Sequence, residues 1–472
     1  MAHLYFHNLH YEKFPDGTVK CIEDEIPFEL PEGWRWDRLG NVSIIARGGS
    51  PRPIESYITD DENGINWIKI GDTEKDGKYI FKTKEKIKPE GLSKSRYVES
   101  GDFLLTNSMS FGRPYILRTD GCIHDGWFVI GNIDTVFNQD FLYYALSSYF
   151  MYQTLSLLAA GSTVKNLKSD TVKSVLFPIP PMREQKRIAE KIDSLISFVI
   201  KIESDKTDLQ TTIQLTKSKI LELAIRGKLV PQDPNDEPAS ILLERIRTEK
   251  EELIKQGKIK RDKKESVIFR GDDNSYYEKI GDTVTCIDEE LPFDIPENWA
   301  WIRLSSACII NPKNNISDDT LVSFVPMTLI QDGYANEFTF EQRKWGEVKK
   351  GFTHFAENDV GFAKITPCFE NRKSVVFRGL CNGYGAGTTE LYILRTFPDT
   401  IMPEYILYIV KTESFLVGGK QTCAGVVGQQ RISKDYVCDY LVPVPPLNEQ
   451  ERIINKCAEI MTMLHNIEKS LS

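Results

Sequence analysis

The sequence of 472 residues lacks several features that would place it in a common class. Its nine cysteines are scattered and form no Cys-x-x-Cys pair, so neither a disulfide framework nor a zinc site is predicted. Its six histidines do not cluster at metal-ligand spacing. No apolar run is long enough to span a membrane, and the N-terminus lacks the layout of a signal peptide. These absences indicate a reducing compartment, and we expect the protein in the cytoplasm.

Catalytic motifs are also missing. Gly383-x-Gly385-x-Gly387 has the wrong spacing for a nucleotide fingerprint, and a strand pattern follows it instead of a helix pattern. Gly227-Lys228 lacks the upstream glycine of a phosphate-binding loop, and no Gly-x-Ser-x-Gly elbow is present. We therefore predict no catalytic residue and no metal ligand in this chain.

The net charge and the local charge of the chain point in opposite directions for nucleic-acid binding. A net charge of −9 by itself argues against nucleic acid, because a basic patch is the usual footprint of that function. The stretch from Lys75 to Arg96, however, holds eight basic residues against Asp76, Glu85 and Glu90. An acidic chain can bind DNA through such a local face, particularly where a partner supplies further phosphate contacts.

Two segments of the chain occur twice at one offset. Residues 178–188, which begin Pro-Ile-Pro-Pro-Met-Arg-Glu-Gln, correspond to residues 443–453, 265 positions later. Residues 21–39 correspond to residues 286–304 at the same offset, whereas the stretches between differ strongly. Because internal repeats fix architecture, this pattern predicts a variable domain, a shared helix, a second variable domain and a second shared helix.

A seven-residue apolar repeat follows each Pro-Pro pair. A repeat kept this long is typical of a coiled-coil seam, so we predict that the two helices pack on each other. Lys206 occupies a seam position, either as a register device or with its stem along the seam. The seam positions are Ile188, Ile192, Leu195, Val199, Ile202, Leu209, Ile213, Ile220 and Leu223, then Ile453, Cys457, Ile460, Leu464, Ile467 and Leu471.

We predict a mixed α+β fold with an internal pseudo-two-fold repeat, in which two α/β domains are joined by two long helices that form an antiparallel coiled coil. Trp34 and Trp36 are assigned to packing. The predicted segments are a first domain at 1–180, a first helix at 181–226, a charged linker with a short helix at 227–285, a second domain at 286–446 and a second helix at 447–472. Within the linker we predict the short helix at Ala239–Lys255 and an exposed polar stretch at 256–275.

These motifs together resemble the specificity subunit of type I restriction-modification systems. The resemblance rests on Leu-Pro-Glu-Gly-Trp-x-Trp at 30–36, on Trp-Ile-Lys-Ile-Gly-Asp at 67–72 and on the two Pro-Pro-x-x-Glu-Gln helix starts. Residues 364–371 and 387–390 look like one class of that family's target recognition domains. The run Gly-Lys-Leu-Val-Pro-Gln-Asp-Pro at 227–234 is also similar.

The resemblance implies that each α/β domain is a target recognition domain that reads one half of a bipartite site in double-stranded DNA. It also implies a chain that is not catalytic by itself and binds no cofactor. Two modification subunits, which bind S-adenosylmethionine and methylate adenine, would dock on it, and restriction subunits that use ATP and Mg²⁺ would join them. The host would be a bacterium or an archaeon.

The helix length suggests a spacing between the two half-sites. From Ile188 to Leu223 a helix rises about 1.5 Å per residue, or roughly 53 Å in all. A turn of DNA is about 34–36 Å long. We therefore expect half-sites separated by a gap on the order of six to eight base pairs.

Base reading needs side chains that reach base edges, such as arginine at guanine or asparagine at adenine. Each candidate could instead cap a turn or face solvent. In the first domain the candidates are Asn107, Ser108, Ser110 and Arg113, and Lys69 and Lys94 are candidate phosphate contacts. In the second domain they are Lys364, Thr366, Asn371, Arg372, Lys373, Gln429, Gln430 and Arg431. Residues expected to start the helices and dock a partner are Glu184, Gln185, Glu449 and Gln450.

Two other functions stay open from the sequence. One is a nuclease whose site is not recognised, which would cut DNA in the presence of magnesium. The other is a protein-interaction scaffold without a DNA role. Two different variable domains on one repeated frame argue against the latter, because reading two different half-sites requires that arrangement.

Overall fold

The computed structural model of the chain describes residues 9–74, 77–107, 112–158, 167–261, 265–425 and 430–471. Three residues predicted to contact DNA, namely Ser108, Ser110 and Gln429, lie outside these ranges. By its contacts the chain divides into two units, Met1–Ile202 and Glu203–Ser472. Both units combine helices with sheets, which confirms the predicted mixed class.

The first unit holds the following elements. Its strands are β1 (Tyr11–Lys13), β2 (Val19–Cys21), β3 (Arg35–Arg38), β4 (Ile44–Arg47), β5 (Ile58–Thr59), β6 (Ile65–Ile68), β7 (Tyr79–Ile80), β8 (Glu85–Ile87), β9 (Arg96–Val98), β10 (Phe103–Thr106), β11 (Pro114–Leu117), β12 (Gly121–Ile123), β13 (Trp127–Gly131) and β14 (Leu176–Ile179). Its helices are α1 (Leu39–Val42), α2 (Gln139–Ser147), α3 (Tyr149–Leu158), α4 (Ser169–Lys173) and the start of α5 (Met182–Ile225).

Two five-stranded sheets form the body of the first unit, in the orders β4-β13-β10-β11-β7 and β5-β8-β6-β12-β9. Strand β10 is buried on both faces, so its side chains alternate between two cores. Phe103 and Leu105 join the cluster that contains Phe141 of α2. Leu104 joins the cluster that contains Ile123 of the second sheet. The first sheet therefore lies between the helices and the second sheet.

The second unit holds the rest of α5 and these elements. Its helices are α6 (Ala239–Lys255), α7 (Leu304–Ala307), α8 (Trp345–Val348), α9 (Pro403–Lys411), α10 (Glu413–Gln421), α11 (Lys434–Asp439) and α12 (Leu447–Ser470). Its strands are β15 (Ser266–Arg270), β16 (Tyr276–Ile280), β17 (Thr283–Cys286), β18 (Ala300–Arg303), β19 (Cys308–Ile310), β20 (Leu321–Val325), β21 (Glu341–Lys344), β22 (Thr353–Ala356), β23 (Val360–Ala363), β24 (Ser374–Val376), β25 (Tyr384–Gly387), β26 (Leu391–Thr396) and β27 (Leu441–Val444).

The sheets of the second unit are smaller, with the orders β19-β26-β23-β24, β21-β20-β25-β22, β18-β27 and β15-β16-β17. The last of these lies in the stretch predicted as a charged linker. Helix α6 has the predicted bounds, Ala239–Lys255. The stretch after it was predicted to be exposed, but part of it is buried. Ile268 of β15 is buried against Trp301 and Ile287, and this burial holds the three strands in place.

The long helix α5 begins directly after the Pro180-Pro181 pair, as the prolines predict. Within the second unit Lys217 Nζ lies 2.7 Å from Glu468 Oε2, near the end of α12. Leu221 shares a buried cluster with Cys457, earlier in α12. The two segments therefore run in opposite directions.

The predicted seam is buried only in part. Ile213 is buried, but the middle of the seam is exposed at Leu195, Val199, Ile202 and Leu209. In the second unit Gln214 and Lys217 of α5 contact Glu468 in the last turns of α12.

Gln185 ties the start of α5 to the first unit. Its Oε1 accepts a 2.8 Å hydrogen bond from the backbone N of Asn138, the residue that caps α2. Its Nε2 donates to the carbonyls of Val136 and Pro180 at 2.8 and 2.9 Å. Gln450 repeats this pattern in the second unit, with the backbone N of Met402 and the carbonyls of Thr400 and Pro445.

Both glutamines are completely buried. Their amides are used within their own units, so the predicted role in docking a partner is wrong for Gln185 and Gln450. Glu449 is also buried, at 1% exposure, whereas Glu184 is partly exposed. The glutamine of the Pro-Pro-x-x-Glu-Gln motif has a physical role at the helix start. Its side chain pairs with one backbone donor and two backbone acceptors that would otherwise be buried without a partner.

We expect Gln450→Met to lower the free energy of unfolding by at least about 2 kcal/mol, because a buried polar group left unpaired costs about 1–3 kcal/mol. Urea titration measures the change. The exposed neighbour Glu451 is the matched control, and Glu451→Met should cost less than about 0.5 kcal/mol. Equal losses in the two variants would contradict the role assigned to Gln450.

Candidate nucleic-acid interface

In the first unit a polar cluster surrounds Asp125, in the turn between β12 and β13. Asp125 Oδ1 accepts a 2.8 Å hydrogen bond from Ser50 Oγ, and Oδ2 lies 3.3 Å from Arg52 Nη2. Its backbone carbonyl accepts from Asn107 Nδ2 at 2.7 Å and from Arg47 Nε at 3.0 Å. One turn residue thus holds residues 48–53, which we call the Ser50 loop.

Two glycines allow the Ser50 loop to lie this close. A Cβ on Gly48 would be 2.2 Å from the carbonyl oxygen of His124, so no larger residue fits there. A Cβ on Gly49 would be 3.0 Å from the carbonyl oxygen of Lys94. The loop is therefore pressed between the Asp125 turn and the segment that carries Lys94.

Basic side chains border the Ser50 loop. Lys94 Nζ donates to Tyr57 Oη at 2.6 Å, and Lys69 Nζ pairs with Glu85 Oε1 at 2.5 Å. Lys69 lines the same cavity as Ser50 and Arg52. We call the set of basic residues around this loop the first basic cluster, and its members are Arg47, Arg52, Lys69, Lys94 and Arg96.

The charges at the Asp125 turn follow from its surroundings. Burial lowers the pKa of His124 below its ordinary value, so this imidazole is neutral at pH 7. Burial acts to raise the pKa of Asp125, but the hydrogen bond from Ser50 and a backbone N–H outweigh it and leave that pKa low. Asp125 is therefore an anion that orients Arg52, whose side chain is 79% exposed.

Of the residues predicted in the first domain, the structure brings Lys69 and Lys94 to the Ser50 loop. Asn107 is only 1% exposed and its amide is used on Asp125, so it is not available to a base. The guanidinium of Arg113 lies 5.6 Å from the centre of the Tyr115 ring. Arg47, Ser50, Arg52 and Arg96 also lie at this loop and were not predicted from the sequence. The turn-rich run Gly-Gly-Ser-Pro-Arg-Pro at 48–53 could have indicated this loop.

In the second unit Thr366 and Gln430 hold two chain segments together. Thr366 N donates to the carbonyl of Gln430 at 2.8 Å, and Gln430 N donates to Thr366 Oγ1 at 3.1 Å. Lys364 N donates to the carbonyl of Glu390 at 2.9 Å. These contacts assemble what we call the second basic cluster, which consists of Lys364 and Arg431 with Thr366, Glu390 and Gln430.

Glu390 positions Arg431 in this cluster. Arg431 Nη2 lies 2.7 Å from Glu390 Oε1, and Nε lies 2.9 Å from Oε2, which is a two-pronged contact. Arg431 holds the pKa of Glu390 below its ordinary value, although burial acts in the opposite direction. The Arg431 side chain is 46% exposed. A carboxylate thus orients an accessible arginine here, as Asp125 does in the first unit.

Arg372 and Lys373 do not belong to the second basic cluster. Arg372 Nε donates to the carbonyl of Lys411 at 3.1 Å, and the guanidinium pairs with Glu413. Lys373 Nζ donates to the carbonyl of Ile330 at 2.8 Å. Both side chains are less than one fifth exposed and are engaged in folding contacts, which do not favour the DNA role predicted for them. The neighbouring Asn371 is exposed.

Lys411 is a buried amine at the centre of these folding contacts. Its Nζ donates to the carbonyls of Gly333 and Arg372 at 2.7 and 3.1 Å. Burial, with the nearby Arg372 charge, lowers its pKa to about 7.

Across the parts of the chain that the structure describes, no three His, Cys, Asp or Glu side chains are grouped to hold a metal ion. The described helices include none with the length and apolar character needed to cross a membrane.

The known proteins that this chain is similar to share one description. Residues 31–211 match the type I restriction modification DNA specificity domain. The chain is 46% identical over 267 residues to the Type I restriction enzyme EcoAI specificity subunit of Escherichia coli, and 45% identical over 258 residues to the EcoEI specificity subunit of the same organism. These matches cover 56% and 54% of this chain but 42% and 40% of the relatives, so the chain spans less than half of their length.

A solved structure shares the fold. The crystal structure of the HsdS subunit from Thermoanaerobacter tengcongensis aligns over 94% of this chain and 93% of that one, with a TM-score of 0.55. The sequence identity is 18%, so this likeness concerns the fold alone.

We expect Lys411 to make the stability of the chain depend on pH. Its pKa is about 7 in the folded chain against an ordinary 10.5, so between these values the unfolded chain binds more protons at this position. The free energy of unfolding should then rise with pH by up to about 1.4 kcal/mol per unit from this group. Urea titrations at pH 7, 8 and 9 measure the slope, which Lys411→Met should reduce. The exposed Lys420 is the control, and the interpretation fails if Lys411→Met and Lys420→Met give the same slope.

Proposed function

We propose that this chain is a specificity subunit of a type I restriction-modification system and that it reads a bipartite site in double-stranded DNA; the matches to that family over residues 31–211 and over 56% of the chain support this proposal. The first unit reads one half-site through the first basic cluster, and the second unit reads the other through the second basic cluster. The chain is not catalytic by itself.

The observation that carries this proposal is the same in both units. An arginine with an accessible guanidinium is oriented by a carboxylate, as Arg52 is by Asp125 and Arg431 by Glu390. A guanidinium matches the paired acceptors of guanine in the major groove and also the oxygens of a phosphate. Because the carboxylate fixes the direction of the arginine in advance, less side-chain freedom is lost when DNA binds.

The repeated helices are proposed to act as the spacer. Helices α5 and α12 form an antiparallel coiled coil on a pseudo-two-fold axis and keep the half-sites apart by a gap on the order of six to eight base pairs. The opposite directions of the two segments within the second unit support this proposal.

The chemistry of the complex is proposed to reside in other subunits. Two modification subunits, which bring S-adenosylmethionine, dock on the chain in the cytoplasm of a bacterium or archaeon. Restriction subunits, which use ATP and Mg²⁺, join them. The chain itself holds none of these cofactors in this proposal.

We expect Arg52→Lys to relax the choice of base at one position of one half-site, because lysine keeps the charge but lacks the two-pronged fork. The lost discrimination should be about 1–3 kcal/mol. Selection from randomised duplexes followed by sequencing measures it. Arg35→Lys, an exposed arginine outside both clusters, should leave the preference unchanged. An unchanged preference in Arg52→Lys would assign base reading to other residues.

Replacing residues 34–177 with the corresponding domain of a related specificity subunit should change one half of the methylated site and leave the other half intact. Methylation mapping in a host that supplies the modification subunit reads both halves at once. A change in both halves, or in neither, would contradict independent reading by two units.

A further inference from the structure

A cavity of about 320 Å³ lies inside the second unit, between helix α6 and strands β15 and β18. Leu243 and Ile246 of α6 belong to one buried core, whereas Ile268 of β15 and Trp301 of β18 belong to another. The cavity therefore lies where these two cores meet, and we call it the α6 cavity. None of the residues that line it belongs to either basic cluster.

The size of the α6 cavity suits a small molecule. Small-molecule sites commonly have volumes of about 300–1,000 Å³, and this cavity lies at the lower end of that range. Size alone is weak evidence, because a cavity with purely apolar walls can stay empty in a folded protein. The polar side chains of the wall are therefore what indicates a ligand.

Lys250 places a buried ammonium group at the α6 cavity. The residue is only 7% exposed, and its Nζ lies 3.2 Å from Glu265 Oε1. An ammonium has three N–H donors, but Lys250 Nζ makes no hydrogen bond of ordinary geometry within the described part of the chain. At least two of its donors are thus left for another acceptor.

Trp301 supplies a second unused donor. The residue is 1% exposed, and its Nε1 is buried without an acceptor among the described residues. Its counterpart in the repeat, Trp36, also has a buried Nε1 without an acceptor there, so the indole alone does not indicate a site. The indication comes from the fact that Trp301 and Lys250 line one cavity.

Ser266 Oγ is a third buried polar atom of the wall that makes no hydrogen bond of ordinary geometry among the described residues. Arg303, and to a smaller extent Ser266, hold the pKa of Glu278 below its ordinary value, although burial acts to raise it. The Ser266 hydroxyl is therefore already close to a carboxylate. For this reason the inference rests on Lys250 and Trp301.

The charged side chains of the wall already pair with residues of opposite charge. The pairs are Lys250 with Glu265, Arg247 with Glu244 and Glu251 with Arg261, at N···O distances of 3.2, 2.6 and 2.6 Å. A charged ligand would lose its hydration in the cavity and would find no unbalanced charge to compensate that loss. An uncharged ligand that accepts hydrogen bonds avoids this penalty.

We propose that the α6 cavity binds a small uncharged molecule with an apolar body and a carbonyl oxygen, such as an aromatic or aliphatic amide. The carbonyl oxygen accepts hydrogen bonds from Lys250 Nζ and Trp301 Nε1, the two donors that the fold leaves unused. The apolar body packs against Leu243, Ile246 and Ile268. This site is independent of the proposed reading of DNA.

The probe is para-fluorobenzamide, titrated with the full chain and followed by fluorine NMR. We expect saturable binding with a Kd on the order of 1 mM or tighter, as a ligand of this size allows. The controls are para-fluorobenzoate, which carries a charge, and para-fluorotoluene, which lacks the carbonyl. Both should bind at least about tenfold more weakly, because the first brings an unbalanced charge and the second leaves the donors unpaired. This comparison uses the unchanged chain and needs no variant to fold.

Lys250→Met tests whether the probe occupies the α6 cavity. The variant removes the ammonium, while Glu265 keeps Arg261, whose Nη1 lies 3.5 Å from Glu265 Oε2. Binding of para-fluorobenzamide should weaken by at least about tenfold. Lys255→Met is the matched control, because Lys255 is an exposed lysine at the end of the same helix, and it should bind the probe normally. Urea titration checks that both variants are folded.

Absence of saturable binding would overturn the proposal, and so would binding that Lys250→Met leaves unchanged. Tighter binding of para-fluorobenzoate would overturn the uncharged class of ligand, and equal binding of para-fluorotoluene would overturn the role of the two donors. In a crystal of the unchanged chain grown with para-fluorobenzamide, we expect the carbonyl oxygen within hydrogen-bond distance of Lys250 and Trp301. Water molecules at both donors, with no probe in the cavity, would contradict the assignment.

Discussion

The buried amide of one glutamine in each unit is the contact on which the rest of the architecture depends. Gln185 and Gln450 each connect the first turn of a repeated helix to the N-cap residue of a domain helix and to the first proline of the Pro-Pro pair. The direction in which each helix leaves its domain is thereby fixed. The same glutamine contacts can form with domains whose loops differ in sequence, because on the domain side they involve backbone groups.

The two candidate DNA-reading surfaces differ in sequence but share a physical principle. In each, a carboxylate contacts an arginine where two loops meet, and hydrogen bonds such as Ser50 to Asp125 and Gln430 to Thr366 hold the loops together. An oriented guanidinium on a rigid loop is selective, because a wrong base leaves its donors unpaired. Arginines in this arrangement suit a protein whose two domains must recognise two different sequences from one common frame.

The sequence predicted the local features and missed those that depend on distant contacts. Proline pairs marked the helix starts, and Ala239–Lys255 was predicted with the observed bounds, because both follow from local rules. Arg52 was missed because its partner Asp125 lies far away in the chain. Nothing local in the sequence shows that the guanidinium of Arg372 contacts the carbonyl of Lys411 and Glu413.

The central claim is that this chain directs adenine methylation to a bipartite site. The most direct measurement is a genome-wide map of methylated adenine in the host, with and without the gene for this chain. The account predicts that deletion removes methylation from one motif made of two defined halves and an undefined gap. An unchanged map, or the loss of a motif without a gap, would contradict it.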